Sequence, residues 1–231
     1  MVQDLVIERL FEALINGDRA WSRTIISELS EQGTTPEQLI TDVYWPTYEM
    51  VARLYRNDQL STIAHHMATR LLRTLLDQTA ANLTRQPELG RTVFAVCGPT
   101  DADELAAEMA VDLMEAAGLT VAFAGGGIAT DEILAQVQQN HPDALVIFAS
   151  APSDLPEIRG LIDTMQEIGA CTNTQVIVGG GVFNRADGLA EEIGADLWAT
   201  DPADLVEVML LEPERRATPD QRTVGRKRRA A

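Results

Sequence analysis

The chain has 231 residues, 45% hydrophobic and 23% charged, with a formal net charge of −17, which is enough to bury a core in one large domain or two small ones. No stretch approaches the roughly 20 apolar residues of a membrane-crossing helix, and the N-terminus lacks the basic flank and cleavage site of a secretory leader, so the expected location is the cytoplasm. Cys97 and Cys171 give neither a disulfide framework nor a thiolate cage, and the one lysine, Lys227, leaves the body without the amine of Schiff-base or P-loop chemistry.

Residues 1 to 86 read as helix, because Leu5, Ile7, Leu10, Phe11, Leu14 and Ile15 recur at spacings of three and four without strand alternation. The pattern predicts four helices, over 3–16, 18–32, 36–56 and 61–86. Thr35 is the expected cap of the third, with Pro36 at its first position and Gln38 completing a capping box; Asn57 and Asp58 break the chain before Ser61 caps the fourth. The stretch from Pro87 to Gly90 reads as a linker.

From Thr92 the pattern changes to short apolar runs, TVFAV, TVAFA, ALVIFA, QVIVGGG and DLWAT, separated by helical stretches. Such runs are expected of strands buried on both faces, and intervening helices make the strands parallel. Helices are expected to start near Ala102, Asp131, Leu155, Ala186 and Pro202, with Thr130 and Ser153 as caps. The predicted fold is therefore α/β: an N-terminal four-helix bundle followed, over 91–211, by a doubly wound, flavodoxin-like sheet of five parallel strands. From 214 to 231 the chain carries a net charge of +5 and almost no apolar residues, and a disordered tail is expected. Its ending, Arg226 to Arg229, is suited to an acidic partner or nucleic acid, whereas the acidic body is expected not to bind DNA.

In a doubly wound sheet, ligands bind beyond the carboxyl ends of the strands. The loops there are CGPTDADELA, Gly125 to Gly127, SAPSD from Ser150, Gly179 to Gly181, and TDP from Thr200. None is a dinucleotide fingerprint or a Walker A loop. A phosphoacceptor site would need a carboxylate after the third strand and a lysine after the fifth, and Ser150 stands in the first place. Asp101 and Asp103 suggest an acidic Mg²⁺ pocket, with no nucleophile to serve. No G-x-S-x-G elbow occurs, and the chain is not expected to be an enzyme.

A four-helix bundle followed by this α/β pattern, with a polar first loop, Ser150 after the third strand and Gly179-Gly180-Gly181 after the fourth, resembles the cobalamin-binding proteins, most closely their stand-alone light- and cobalamin-sensing regulators. In that family the first loop carries D-x-H-x-x-G, whose histidine replaces the cofactor's own base as the lower cobalt ligand. A Gly-Gly turn after the fourth strand admits the nucleotide tail. Asp101 to Ala106 align with that motif, placing Asp103 at the histidine and Ala106 at the glycine. A carboxylate is a harder donor than imidazole, so base-on binding, a water ligand, an altered pose or a decayed site are each open. Asp103 also suits a helix N-terminus through the helix dipole. Gly125 and Gly126 are either places where a flat ring meets bare backbone or turn devices.

Tyr55, followed after nine residues by His65 and His66, is similar to the regulators' W-x9-E-H pattern, whose bundle covers the upper corrin face. The resemblance makes Tyr55 the aromatic cover, His65 the glutamate's stand-in and His66 the cobalt ligand; adjacent helical residues point about 100° apart and cannot both address one ligand. His141 reads as a helix-end residue, and Trp45 and Trp198 as packing. The function implied is a cobalamin-binding sensor whose ligand, held between bundle and sheet, changes the binding of a regulatory protein partner or a homodimer. The alternatives are a corrinoid methyl carrier of a methyltransferase system and a scaffold that has lost cobalamin or binds another tetrapyrrole.

Overall fold

A computed structural model describes residues 2–169 and 171–218. The expected basic ending, Arg226 to Arg229, lies outside the described residues. The chain forms two compact units, the first ending at Arg85 and the second beginning at Gln86.

The first unit contains α1 (Val2–Ile15), α2 (Arg19–Glu31), α3 (Pro36–Gln38), a π-helical segment (Leu39–Tyr44), α4 (Trp45–Arg56) and α5 (Thr62–Ala80). Its core is built from the apolar stripes of α1, α2, α4, α5 and the π-helical segment, with Leu10, Leu14, Ile25, Ile40, Leu72 and Leu76 fully buried. The Thr35–Gln38 capping box forms as expected, and Ser61 accepts from the Ala64 amide. Inside the core the Tyr44 hydroxyl pairs with Thr79 Oγ1 at 2.8 Å, and burial pushes the Tyr44 phenol up to about 12.

Two differences from the periodicity have local causes. The stretch 36–56, expected as one α-helix, is α-helical at both ends and π-helical between. Pro46 lacks an N–H and its ring crowds the carbonyl four residues back, so the turn widens ahead of it. The last helix ends at Ala80 rather than near residue 86; Asn82 turns its side-chain amide onto the Gln78 carbonyl, and Pro87 disfavours helical backbone at Gln86.

The second unit is a sheet of β1 (Thr92–Cys97), β2 (Thr120–Gly126), β3 (Ala144–Phe148), β4 (Gln175–Gly179) and β5 (Leu197–Ala199), in the order β2-β1-β3-β4-β5 and parallel at every pairing. The helices are α6 (Asp101–Ala116), α7 (Thr130–Asn140), α8 (Leu155–Ile168), α9 (Gly181–Asn184), α10 (Leu189–Ile193) and α11 (Pro202–Leu211). Val93, Ala95, Val146 and Ile177 pack with α6 and α11, and Phe94, Val96, Ile147 and Val178 pack with α7 and α8. Successive strand residues alternate between two covered faces, which is why the central strands read as unbroken apolar runs. The edge strand β2 departs from that expectation: Val121 and Phe123 are half-buried while Ala122 and Ala124 are exposed.

Several expected helix starts shift. Ala129, not Thr130, precedes α7, and the Thr130 hydroxyl instead donates to Glu157. Ser153 lies within a 3-10 turn, Pro152–Asp154, and does not cap α8. The helix expected from Ala186 is two short pieces separated at Gly188, whose φ of 78° suits glycine. His141 closes α7 in the left-handed conformation, its amide bonding to Val137.

The tail expected to be disordered from residue 214 is docked through Thr218. The Arg216 guanidinium donates to the Asn173 carbonyl, the Ala217 amide donates to Asp196, and Arg215 lies over the Trp198 ring with its guanidinium carbon 4.8 Å from the ring centre. Composition missed this because the docking uses main-chain groups and one guanidinium–indole contact rather than apolar burial. Among the described residues, no helix is long and apolar enough to cross a membrane.

Candidate functional site

The strand order reverses direction between β1 and β3, so the loops after these strands flank the crevice where a doubly wound sheet offers a site. The first loop passes through Gly98 and Pro99 to Thr100, the N-cap of α6. Thr100 Oγ1 accepts from the Asp103 amide at 3.1 Å, and Asp103 Oδ2 accepts from the Thr100 amide at 3.3 Å and from its hydroxyl at 2.6 Å. This is a reciprocal capping box with aspartate in the usual glutamate place.

The other Asp103 oxygen, Oδ1, accepts a short hydrogen bond from the Ser150 hydroxyl in the loop after β3. Asp103 is 4% exposed. Gly98 must be glycine beside it, since a Cβ there would lie 2.7 Å from Asp103 Oδ2. Arg185, just past α9, donates to the Ser150 carbonyl, and Glu104 accepts from the Gly126 amide at 3.4 Å. A polar belt thus ties the loops after β1, β2, β3 and β4.

The structure brings Asp103 and Ser150 into direct contact, and leaves Asp101 exposed and Ala106 half-buried on α6. The glycines serve close backbone approach. A Cβ on Gly126 would meet the Gly98 carbonyl at 2.1 Å, and one on Gly180, where φ is 104°, would meet the Ala149 carbonyl at 2.3 Å. Gly125 packs near the Glu104 carboxylate, Gly179 near the Phe148 ring, and Gly181 beneath the Arg185 guanidinium. Thr100, Glu104, Gly98 and Arg185 were not among the expected site residues. The spacing of Thr100 and Asp103, a hydroxyl followed three residues later by a carboxylate at a helix start, was the signal available for the first.

Beside this belt, toward α7 and α8, lies a cavity of about 310 Å³ floored by Val96, Ile147, Ile133 and Leu161. Thr130 and Glu157, hydrogen-bonded at 2.7 Å, stand among its lining residues. Its size is at the small end for a ligand pocket.

In the helical unit, Tyr55 of α4 stacks on His65 of α5 with ring centres 4.0 Å apart and planes 19° apart, and His66 meets His65 edge-on at 5.9 Å. His65 is half-buried and His66 exposed. The aromatic cover therefore rests on His65, the glutamate's stand-in, rather than on His66. Desolvation first, and the neighbouring His66 second, hold the His65 imidazole below its ordinary value of 6.5. Its Nδ1 is buried with no hydrogen-bond partner.

The residues present do not fit the role of a lower cobalt ligand. Asp103 has both oxygens engaged within the protein, and Arg185, which donates to the Ser150 carbonyl, has no lone pair to give. Among the described residues no group of three or more histidine, cysteine or acidic side chains is arranged to hold a metal ion.

Family models described as "B12 binding domain" match residues 91–207 and, separately, 6–79. The structure is similar to that of the monomethylamine corrinoid protein of Methanosarcina barkeri, at 16% identity and a TM-score of 0.79, over 90% of this chain and 98% of that one. It is also similar to a chain of the methanol:cobalamin methyltransferase complex MtaBC of Methanosarcina barkeri, at 19% identity and a TM-score of 0.50, over 94% and 83%. At these identities the likeness is one of fold. No curated protein matches the chain.

Proposed function

Because the chain belongs to the B12 binding domain family, we propose that it is a sensory or regulatory protein that takes up a cobalamin or related tetrapyrrole and relays the bound state to a protein partner. The family match supports the class of cofactor. What separates a sensor from a methyl carrier is Asp103: its carboxylate is buried and spent on Thr100 and Ser150. In the resemblance, a carrier draws on a histidine at that position to support its redox cycle. A sensor needs only retention of the ligand and a packing change that depends on it. The fold likeness to the monomethylamine corrinoid protein is compatible with the carrier reading but does not supply the absent nitrogen.

In this reading the chain catalyses nothing by itself, and the imidazoles of His65 and His66 are the nitrogen donors the helical unit offers. The Tyr55 stack fixes the His65 ring, while exposed His66 is free to turn toward a ligand. The output runs through a protein partner or a second copy of the chain, in the cytoplasm.

The test is the visible spectrum of the purified protein after incubation in the dark with adenosyl- or hydroxocobalamin and removal of free ligand by gel filtration, recorded before and after illumination. A retained corrinoid band that shifts with light is expected, and a folded protein that retains none overturns the reading. His66→Ala is expected to alter the spectrum of the bound hydroxo form and His65→Ala to leave it nearly unchanged; equal effects would remove the assignment of His66.

A further inference from the structure

At the amino ends of β4 and β5, across the sheet from the loops of Asp103 and Ser150, the α/β unit holds a cavity of about 480 Å³, within the range of small-molecule sites. Its floor is apolar: Ile162 and Met165 of α8 and Val176 of β4 belong to one core cluster, and the buried Cys171 thiol adds a soft, weakly polar surface beside them. One wall is the segment docked after α11. The Ala217 amide holds it to Asp196 and the Arg216 guanidinium holds it to the Asn173 carbonyl. A wall tied to main-chain groups stands in place before a ligand arrives, so little ordering is charged against binding.

Two charged side chains line the cavity, and they are used differently. Asp196 gives one oxygen to the Val176 amide and the other to the Ala217 amide, so its charge is met by the wall itself. Arg216 donates to the carbonyls of Pro213, Arg215 and Asn173, all neutral acceptors. Among the described residues no carboxylate pairs with it, and a guanidinium has further N–H groups to give. Gln166 and Thr172, both exposed, add polar groups to the lining. A cation without a counter-charge beside an apolar floor fits an anion that carries an apolar body. The net charge of −17 disfavours a multiply charged one.

We propose that this cavity binds a small amphipathic monocarboxylate, its head group on Arg216 and its hydrocarbon body on Ile162, Met165 and Val176. The site is independent of the proposed cobalamin binding and stands or falls without it. Because the docked segment supplies both the wall and the cation, ligand and segment hold each other in place: what fills the cavity favours the docked chain, and undocking releases the ligand.

The experiment titrates the full ¹⁵N-labelled chain, without corrinoid, with sodium octanoate and separately with 1-octanol, which has the same body and no charge, and follows the amide resonances. Octanoate should give saturable shifts centred on Thr172, Val176 and Ala217, with a dissociation constant of about 1 mM or tighter, and octanol should bind at least about tenfold more weakly. Arg216→Gln should weaken octanoate by about tenfold or more. If that variant undocks the segment, seen as a displaced Ala217 amide before ligand is added, Thr172→Trp decides, since it leaves Arg216 in place and fills the cavity; it too should weaken octanoate by about tenfold. Equal affinity for octanol, unchanged octanoate binding by Thr172→Trp, shifts centred instead on Ile133 and Leu161 of the other cavity, or no shifts up to about 10 mM octanoate would each overturn the proposal.

Discussion

The two ends of the parallel sheet are both laced with polar side chains, but the lacing differs in kind. At the amino ends of the strands the bonds run from side chains to main-chain groups distant in sequence. Arg91 donates to the Met209 carbonyl and to Gln175, Gln175 donates to the carbonyls of Glu212 and Arg215, and Asp196 accepts from the amides of Val176 and Ala217, each at 2.7 Å. At the carboxyl ends, the bonds of Asp103 with Thr100 and Ser150 join neighbouring loops largely side chain to side chain. Loss of a bond of the first kind takes a partner from a main-chain group that is fixed in place, whereas hydroxyls and carboxylates on loops can turn to water or to a ligand. Stability is lodged at one end and adaptability at the other.

Four substitutions or truncations test that contrast. The largest effect is expected for Asp196→Ala, which leaves two main-chain amides without an acceptor at a residue 9% exposed; a loss of about 2–4 kcal/mol is expected in urea unfolding. A chain ending at Pro213, compared with one ending at Thr218, loses the docking of Arg215, Arg216 and Ala217. It should melt lower by an amount equivalent to about 1–3 kcal/mol, and equal melting temperatures would show that the docked segment contributes nothing.

At the other end, Asp103→Ala removes the capping box and the Ser150 contact, and about 1–2 kcal/mol is expected by the same measurement. A loss exceeding that of Asp196→Ala would reverse the ordering of the two ends. The smallest effect is expected at Asp143, which accepts from the Thr92 amide at 2.7 Å and its hydroxyl at 2.9 Å. The amide bond is the first cause that holds its carboxyl below the usual value of 3.8. A depressed folded value means this contribution is fully present above the unfolded value and fades as pH falls through the folded one. Because the group is exposed, screening limits it to about 0.5 kcal/mol. The melting difference between the wild type and Asp143→Asn should therefore shrink as pH drops below 4, and a difference constant across that range would remove the assignment.

The architecture was legible because central strands covered on both faces leave unbroken apolar runs and amphipathic helices leave a spacing of three and four. The same reasoning misjudged β2, since an edge strand flanked by small alanines has a similar composition to a buried one. The docked residues 214–218 were invisible to it because their contacts use main-chain groups that every sequence possesses. Within the site, Ser150 and Asp103 were named from the loops, but their bond joins residues 47 apart, which no local pattern encodes. Tyr55 and His65 lie on different helices, and the choice between His65 and His66 as the stacked ring depends on how α4 and α5 face each other. Gly125 and Gly126 read equally as bare surface for a ring or as turn devices, because sequence shows that a side chain is missing without showing what fills its place.

The π-helical segment Leu39–Tyr44 has a consequence for how the bundle accommodates insertion and deletion. A wide turn is an α-helical turn with one residue too many, absorbed without ending the helix. Winding the same residues as ordinary α-helix would rotate everything beyond them by about 100°, swinging Thr47, Tyr48 and Val51 away from the core they now share with Ile40 and Tyr44, whereas removing one residue from the stretch would let an ordinary turn hold them in place. The widened turn therefore acts as a phase adjuster: it keeps the sequence before Pro46 and the sequence after it on one face of a rod whose natural periodicity would set them apart.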